Sequence, residues 1–385
     1  MPARAIARKI LRSLHSIRHY PNRTAWTSCS IIDGHAKSKA RSFRNNFPGE
    51  TIMTKTMKAA ILETYGAPFR ICDIPVPTPG PGEVLVRIVA SSVNPLDTKI
   101  HAGAAEHARH PLPAILGIDL AGTVEAVGSA VTDFRPGDEV YGMAGGVGGL
   151  QGTLAEYAVV DADLLAVKPA NLSMQEAAAL PAVVITAWEG LVDRMAIGPG
   201  ETVLVQGGAG GVGHVAVQLA RAFGAEAFAT GSAHSRAIIE RLGATFIDRT
   251  EPVSDYVLRL TGGRGFDRVY DTVGGAALDA SFQAVRRFGH VVSCLGWGTH
   301  ALAPLSFKEA TYSGVFILPP LLSGEGRRHH REILEQTRRL IESGQLAPVL
   351  DERRFTLGTM CDAYRVIKNG AARGRLVVDI IASGD

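Results

Sequence analysis

The run Thr202-Val-Leu-Val-Gln-Gly-Gly-Ala-Gly-Gly-Val-Gly213 carries the sharpest chemical signal in the chain. Gly208, Gly210 and Gly213 keep the spacing G-x-G-x-x-G, directly after an apolar strand pattern and before a helical one, HVAVQLARAFGA. In that setting Gly208 would permit a tight turn, Gly210 would let backbone approach a pyrophosphate, and Gly213 would let the helix pack closely. Gly211 and Val212 open the helix, whose free N–H groups and positive dipole end favour an anion. The equally glycine-rich stretch from Gly142 to Gly152 lacks the spacing and leads into a strand pattern, so it reads as a loop.

The second strand of such a site ends about 20 residues on, where a carboxylate would hold an unphosphorylated ribose. Ala229, Thr230 and Gly231 stand there instead, followed by Ser232, His234 and Arg236. No carboxylate repels a 2′-phosphate, and Ser232 and Arg236 can donate to one, so the expected cofactor is NADPH rather than NADH. The bland alternative makes Arg236 an ordinary solvated helix residue.

Two kinds of element must position these groups. Residues 57–180 read as short strands with turn punctuation: 83–89, 121–127 and 153–160 alternate with period two. From about Glu201 a strand followed by a helix repeats, with strands at 202–206, 225–230, 266–271 and 291–295. Leu295, at the end of the last of these, is expected against the cofactor. Repeated βα units imply a doubly wound parallel sheet with right-handed crossovers, and an α/β fold class. The expected division is 1–56 as an extension, 57–180 as a β-rich domain, 181–311 as the nucleotide domain and 312–385 as a return to the first, closed by a strand at 375–380.

Composition sets the outer limits. Of 40 Lys and Arg, 11 lie in residues 1–56 beside only two of the 37 Asp and Glu, so the leader carries +9 and the remainder −6. Basicity therefore belongs to the leader, and the body shows no basic face for nucleic acid. The longest apolar stretch, 177–188, is broken by Pro181 and is too short to span a membrane. Four Cys at 29, 72, 294 and 361 form neither a CxxC pair nor a disulfide framework. Within the leader, Ile6, Ile10, Leu14 and Ile17 recur at helical spacing with Arg4, Arg8 and Arg12 on other faces. Two readings stay open: a dispensable extension before Met57 in a cytoplasmic protein, or a mitochondrial targeting peptide.

Further text carries a resemblance. Pro79-Gly-Pro-Gly-Glu-Val-Leu-Val-Arg87, Val93-Asn-Pro-Leu-Asp-Thr-Lys-Ile100, Arg135-Pro-Gly-Asp-Glu-Val-Tyr-Gly142, Leu180-Pro181, Thr186-Ala-Trp-Glu189 and the glycine run resemble the zinc-independent quinone oxidoreductase branch of the medium-chain dehydrogenase/reductase superfamily. The resemblance covers 57–385 and implies a GroES-like catalytic domain around a Rossmann domain, with the active site in the cleft between them. It also implies a homodimer. Where zinc alcohol dehydrogenases of the superfamily have a Cys and a His-Glu pair, this chain has Asn94 and Leu116-Gly-Ile-Asp119, and its Gly-rich loop replaces the four-Cys lobe. His101, His107 and His110 have no acidic or Cys companion suited to tetrahedral zinc and read as loop residues, so no metal is expected.

By the same resemblance, Asn94, Asp97 and Thr186 would lie against the nicotinamide and its ribose. Lys99 stands where many quinone oxidoreductases have Tyr and is closer to plant alkenal and enone reductases; its ammonium could steady a developing enolate oxygen. The competing roles are a surface Lys and, for Asp97, a backbone cap. Tyr141 is expected either at the cleft or in the core. The first functional reading is an NADPH-dependent, metal-free reductase of a quinone or α,β-unsaturated carbonyl. An enoyl thioester reductase, with Arg327, Arg328 and Arg331 receiving a coenzyme phosphate, and a non-catalytic NADPH-binding protein of crystallin type are the alternatives.

Overall fold

The computed structural model describes residues 55–381. Both readings of the basic leader fall outside that range. In chain order, strands β1 (Thr56–Leu62), β2 (Arg70–Pro75) and β3 (Glu83–Val93) lead to helix α1 (Pro95–His101). Strands β4 (Ala114–Ile115), β5 (Asp119–Val127), β6 (Glu139–Met143), β7 (Tyr157–Asp161) and β8 (Leu165–Val167) precede helices α2 (Met174–Ala178) and α3 (Pro181–Trp188). The alternating units follow: β9 (Thr202–Gln206), α4 (Gly213–Ala222), β10 (Glu226–Gly231), α5 (Arg236–Arg241), β11 (Thr245–Asp248), α6 (Val253–Thr261), β12 (Phe266–Asp271), α7 (Ala276–Ala284) and β13 (Val285–Ser293). The chain closes through α8 (Ala303–Ser306), β14 (Thr311–Gly314), α9 (Pro319–Ser323), α10 (Arg327–Glu342), β15 (Phe355–Thr356), α11 (Met360–Lys368) and β16 (Leu376–Asp379).

The second half forms one six-stranded sheet in the order β11-β10-β9-β12-β13-β14, with every neighbouring pair parallel. The order reverses between β9 and β12, and in open α/β sheets the crevice beyond such a reversal is where ligands bind. Val203, Leu204 and Val205 are buried without alternation because helices cover both faces of the sheet. Since β14 pairs with β13, this sheet runs to Gly314, past the expected boundary at 311.

The first half builds a sheet in the order β15-β16-β3-β5-β6-β8, with β7 on β3, and a smaller one, β2-β1-β4. Strand β16 pairs antiparallel with β3, so the carboxyl end of the chain completes the sheet begun at Glu83. The stretch at 153–160 enters a strand only at Tyr157. The run at 177–188 becomes helix instead: Ser173 and Glu176 exchange side-chain and backbone hydrogen bonds at the start of α2, and Pro181 opens α3. Among the described residues, no helix is long and apolar enough to cross a membrane.

Candidate active site

A cavity of about 500 Å³ opens at the sheet's reversal, floored by Gly207, Gly210, Gly211 and Val212. Gly207 rather than Gly208 makes the turn, at φ +75, a conformation that disfavours any side chain. Gly208 is needed for contact, since a Cβ there would strike Ala229, and one on Gly213 would strike the Gly207 carbonyl. Gly208 and Gly213 thus hold the loop against the strands, while Gly210 and Gly211 face the open space. Just inside α4, His214 is buried and its Nδ1 donates to the Gly210 carbonyl (3.0 Å). Burial pulls its pKa down to about 4, so this neutral ring braces the loop.

At the far end of the cavity, Thr230 turns inward: its hydroxyl accepts the Gly207 N–H (3.0 Å) and donates to Gln206 Oε1 (2.7 Å). Ser232 and Ser235 line the space beyond. Arg236 does not. Its side chain is 56% exposed, donates to Glu240 (3.2 Å) and lies 4.1 Å above the Phe246 ring. An i,i+4 carboxylate and an aromatic face take its guanidinium outward, away from the place expected for a phosphate ligand. The cavity's cation is Arg249, directly after β11, with no ion-pair partner among the described residues. Sequence reading missed it because proximity to β10 comes from the β10–β11 pairing. The neighbouring Asp248 also lines the cavity, but one carboxylate oxygen is taken by the Thr250 N–H (2.9 Å) and hydroxyl (2.6 Å). Those bonds hold its pKa below the usual carboxylate range.

The remaining candidate residues belong to the first domain. Asn94 is extended (φ −108, ψ 152) and starts α1, with Pro95 next and Asp97 Oδ2 accepting the Asn94 N–H (2.7 Å). The Asn94 side chain is engaged at both polar atoms: Nδ2 donates to Asp119 Oδ2 (3.0 Å), and Oδ1 accepts from Arg375 Nη2 (2.8 Å). Asn94 and Asp97 are both buried. The structure therefore gives them positioning bonds where contact with a nicotinamide was expected. Lys99, one turn along, projects exposed and unpaired among the described residues.

Arg375 is the residue sequence reading missed, and it joins these parts. Its Nε donates to the Ala179 carbonyl (2.8 Å) and its Nη2 to Ser92 Oγ (2.8 Å) and Asn94, while Nη1 lies beside Gly211. Asp119 faces it at 3.4 Å and also accepts from Ser92 (2.8 Å) and the Ala182 N–H (2.9 Å). Burial raises the Asp119 pKa and Arg375 opposes the rise; four donors around one carboxyl are the surroundings of an ionised group. The available signal was one Arg at the head of the apolar run LVVDII.

Three further expectations resolve differently. Tyr141 is wholly buried and donates to the Leu334 carbonyl (2.7 Å), with burial pushing its phenol well up, so it is a core residue tying β6 to α10 and not a cleft residue. Thr186 turns its hydroxyl into its own helix, donating to Ala182 (2.6 Å), and its carbonyl accepts from Tyr270 (2.6 Å). Leu295 lies just past β13, half-buried, with its N–H donating to Ser293 Oγ (3.0 Å). The loops at that edge are gathered by buried Asp271, which accepts from Ser293 (2.6 Å) and from the N–H groups of Val273 and Gly274.

A glycine cradle at the reversal of a six-stranded parallel sheet, beside a β-rich domain whose buried Arg375–Asp119 pair lies next to Gly211, defines a two-domain dinucleotide-dependent oxidoreductase. Residues 80–170 match the family model of the alcohol dehydrogenase GroES-like domain, and 242–378 that of zinc-binding dehydrogenase. The chain is 33% identical over 375 residues to the NADPH-dependent alkenal/one oxidoreductase of Arabidopsis thaliana, covering 93% of this chain and 90% of that protein. It is 36% identical over 315 residues to the 2-methylene-furan-3-one reductase of Solanum lycopersicum, covering 80% and 74%. Among solved structures, an alcohol dehydrogenase superfamily protein from Novosphingobium aromaticivorans shares 56% identity at TM-score 0.84, over 85% of this chain and all of that one. The chain belongs to the medium-chain dehydrogenase/reductase superfamily, in its quinone and enone reductase branch.

The zinc in one family description does not fit the residues present. Both Asn94 side-chain atoms and all the Asp119 contacts are hydrogen bonds, and among the described residues no three His, Cys, Asp or Glu converge. His101 is not in a loop but ends α1, buried, with Nε2 on the Ala67 carbonyl (2.8 Å). His110 Nε2 meets the Ile115 carbonyl at 3.3 Å.

Proposed function

We propose that the chain reduces an α,β-unsaturated carbonyl or a quinone with NADPH as hydride donor. The observation that carries the reading is the convergence of Ser232, Ser235 and Arg249 at the end of the glycine-loop cavity, opposite a carboxylate already engaged by Thr250. That donor set suits a ribose phosphate. Relatives named for NADPH-dependent alkenal/one and furanone reduction point the same way. Gln206 Nε2, buried beside the cavity without a partner, supplies one more donor for the bound nucleotide. When bound, NADPH brings a hydride at its nicotinamide C4.

The chain's own residues then divide the work. Gly210, Gly211 and the start of α4 meet the pyrophosphate. Asn94 and Asp97 fix α1, and the free ammonium of Lys99 donates to the substrate oxygen as it gains negative charge. The arginines named for the thioester alternative are already paired: Arg327 is bound to Asp161 (2.7 Å), Arg331 to Asp133 and Glu335 (both 2.8 Å), and Arg328 faces Asp163 and Glu332. A second copy pairing along edge strand β14, which carries exposed Tyr312 and follows exposed Phe307, is our oligomeric reading, and a monomer mass by sedimentation would overturn it.

The test follows loss of nicotinamide absorbance with 1,4-naphthoquinone, an alkyl enone and crotonyl-CoA. Consumption is expected with the first two, and Arg249→Ala should raise KM for NADPH about tenfold or more while sparing NADH. No consumption with any of the three, despite tight NADPH binding, would favour the non-catalytic alternative.

A further inference from the structure

Three aromatic rings from different parts of the chain meet. His107 comes from the segment after α1, Trp297 stands two residues beyond Leu295, and Phe316 stands two residues beyond β14. Trp297 and Phe316 therefore leave adjacent parallel strands at their carboxyl ends, the edge where the sheet receives its ligand. His107 lies 5.6 Å from Trp297 at 30° and 5.9 Å from Phe316 at 60°; Trp297 and Phe316 are 6.1 Å apart at 88°. All three separations fall in the range where ring pairs attract.

The cluster is not core. Trp297 is 57% and Phe316 39% exposed, and His107 is exposed as well. Trp297 sits between Gly296, where a Cβ would strike the Tyr312 hydroxyl, and Gly298, at φ +114. The loop is thereby brought close over β14 while the indole keeps an open face. The opposite wall is firmer, since the Ala108 carbonyl next to His107 accepts the Gly148 N–H (2.9 Å), and Gly148 abuts the backbone of Leu321.

We infer that His107, Trp297 and Phe316 form an aromatic clamp that selects flat, aryl-conjugated carbonyls over short alkyl ones. The inference rests on the enone and quinone reading above. A ring extending from the conjugated C=C finds faces and edges already fixed by one another, and so stacks at little ordering cost. An alkyl substituent at the same place gains only the area it covers. The three rings are specificity-determining residues and take no part in proton or hydride movement.

The test uses the full chain and two probes, 4-phenyl-3-buten-2-one and 3-penten-2-one. Wild type should favour the phenyl probe in kcat/KM, and Trp297→Ala should lower that preference about tenfold, chiefly through KM, with Trp297→Phe restoring most of it. An unchanged preference ratio in Trp297→Ala and in Phe316→Ala would overturn the clamp. Calorimetric binding of the saturated ketone 4-phenyl-2-butanone to the NADP⁺-loaded protein separates this from the reaction itself. If neither enone is reduced, the functional reading fails; the clamp still stands if Trp297→Ala weakens that binding about tenfold, and falls if it does not.

Discussion

Asp97 is held by the N–H of Asn94 on one oxygen, while its other oxygen is buried without a partner. Burial raises its pKa from 3.8 to about 7. The folded chain thus keeps a proton that the unfolded chain has released between those two values. Stability should accordingly fall as pH rises through that window. Asp97→Asn should flatten the slope in denaturant midpoints compared at pH 4.5 and 7.5, and a slope equal to wild type would show that other groups produce it. Lys99 calls for a kinetic measurement: Lys99→Met should lower kcat/KM on an enone about a hundredfold, and unchanged rates would remove it from the reaction. Residue types were legible here, but their partners were not. Asn94 and Asp97 stood out in the sequence, while nothing local revealed that Asn94 would be spent on Asp119 and Arg375.

The β9–loop–α4 unit was readable almost whole, because strand, glycine spacing and helix are contiguous and each is set by local rules. What shifted was the division of labour, with Gly207 turning the chain and Gly208 and Gly213 making room. Gly213→Ala should therefore push the loop off the Gly207 carbonyl and cost about 1–3 kcal/mol, the range for overpacking. Calorimetry should show a lower Tm and titration a weaker NADPH affinity; retention of both would mean that the loop relaxes freely. Arg236 shows the limit of element-level reading. It stands where a phosphate ligand belongs in sequence, but the helix it opens places Glu240 four residues on and Phe246 beneath, and both draw it away.

Across the whole molecule the decisive contact joins distant parts of the chain. Arg375 reaches Asn94 over 281 residues, binds the first sheet and the carbonyl that ends α2, and lies beside the glycine loop at Gly211. Removing one partner of a buried ion pair typically costs about 3–5 kcal/mol, because the other charge is left without compensation. Arg375→Met should lose about that much, and the double variant Arg375→Met with Asp119→Leu should recover part of it in denaturant titration. Additive losses would mean that the pair is not coupled. That a closing strand at 375–380 would return to the first sheet was anticipated, whereas the charge pairing was hidden, since nothing in either segment names the other.

The placement of Arg375 also bears on synthesis. At about 5–20 residues per second, between roughly 14 and 56 s separate the emergence of Asn94 from that of Arg375. For most of that interval the nascent chain carries Asp119 without its counter-charge, and the first sheet lacks β16. The parallel sheet, whose strands all lie between Thr202 and Gly314, is complete well before the domain that precedes it in the sequence. A ribosome making this protein therefore finishes the later domain first, and the earlier one waits for Arg375 and β16 to close.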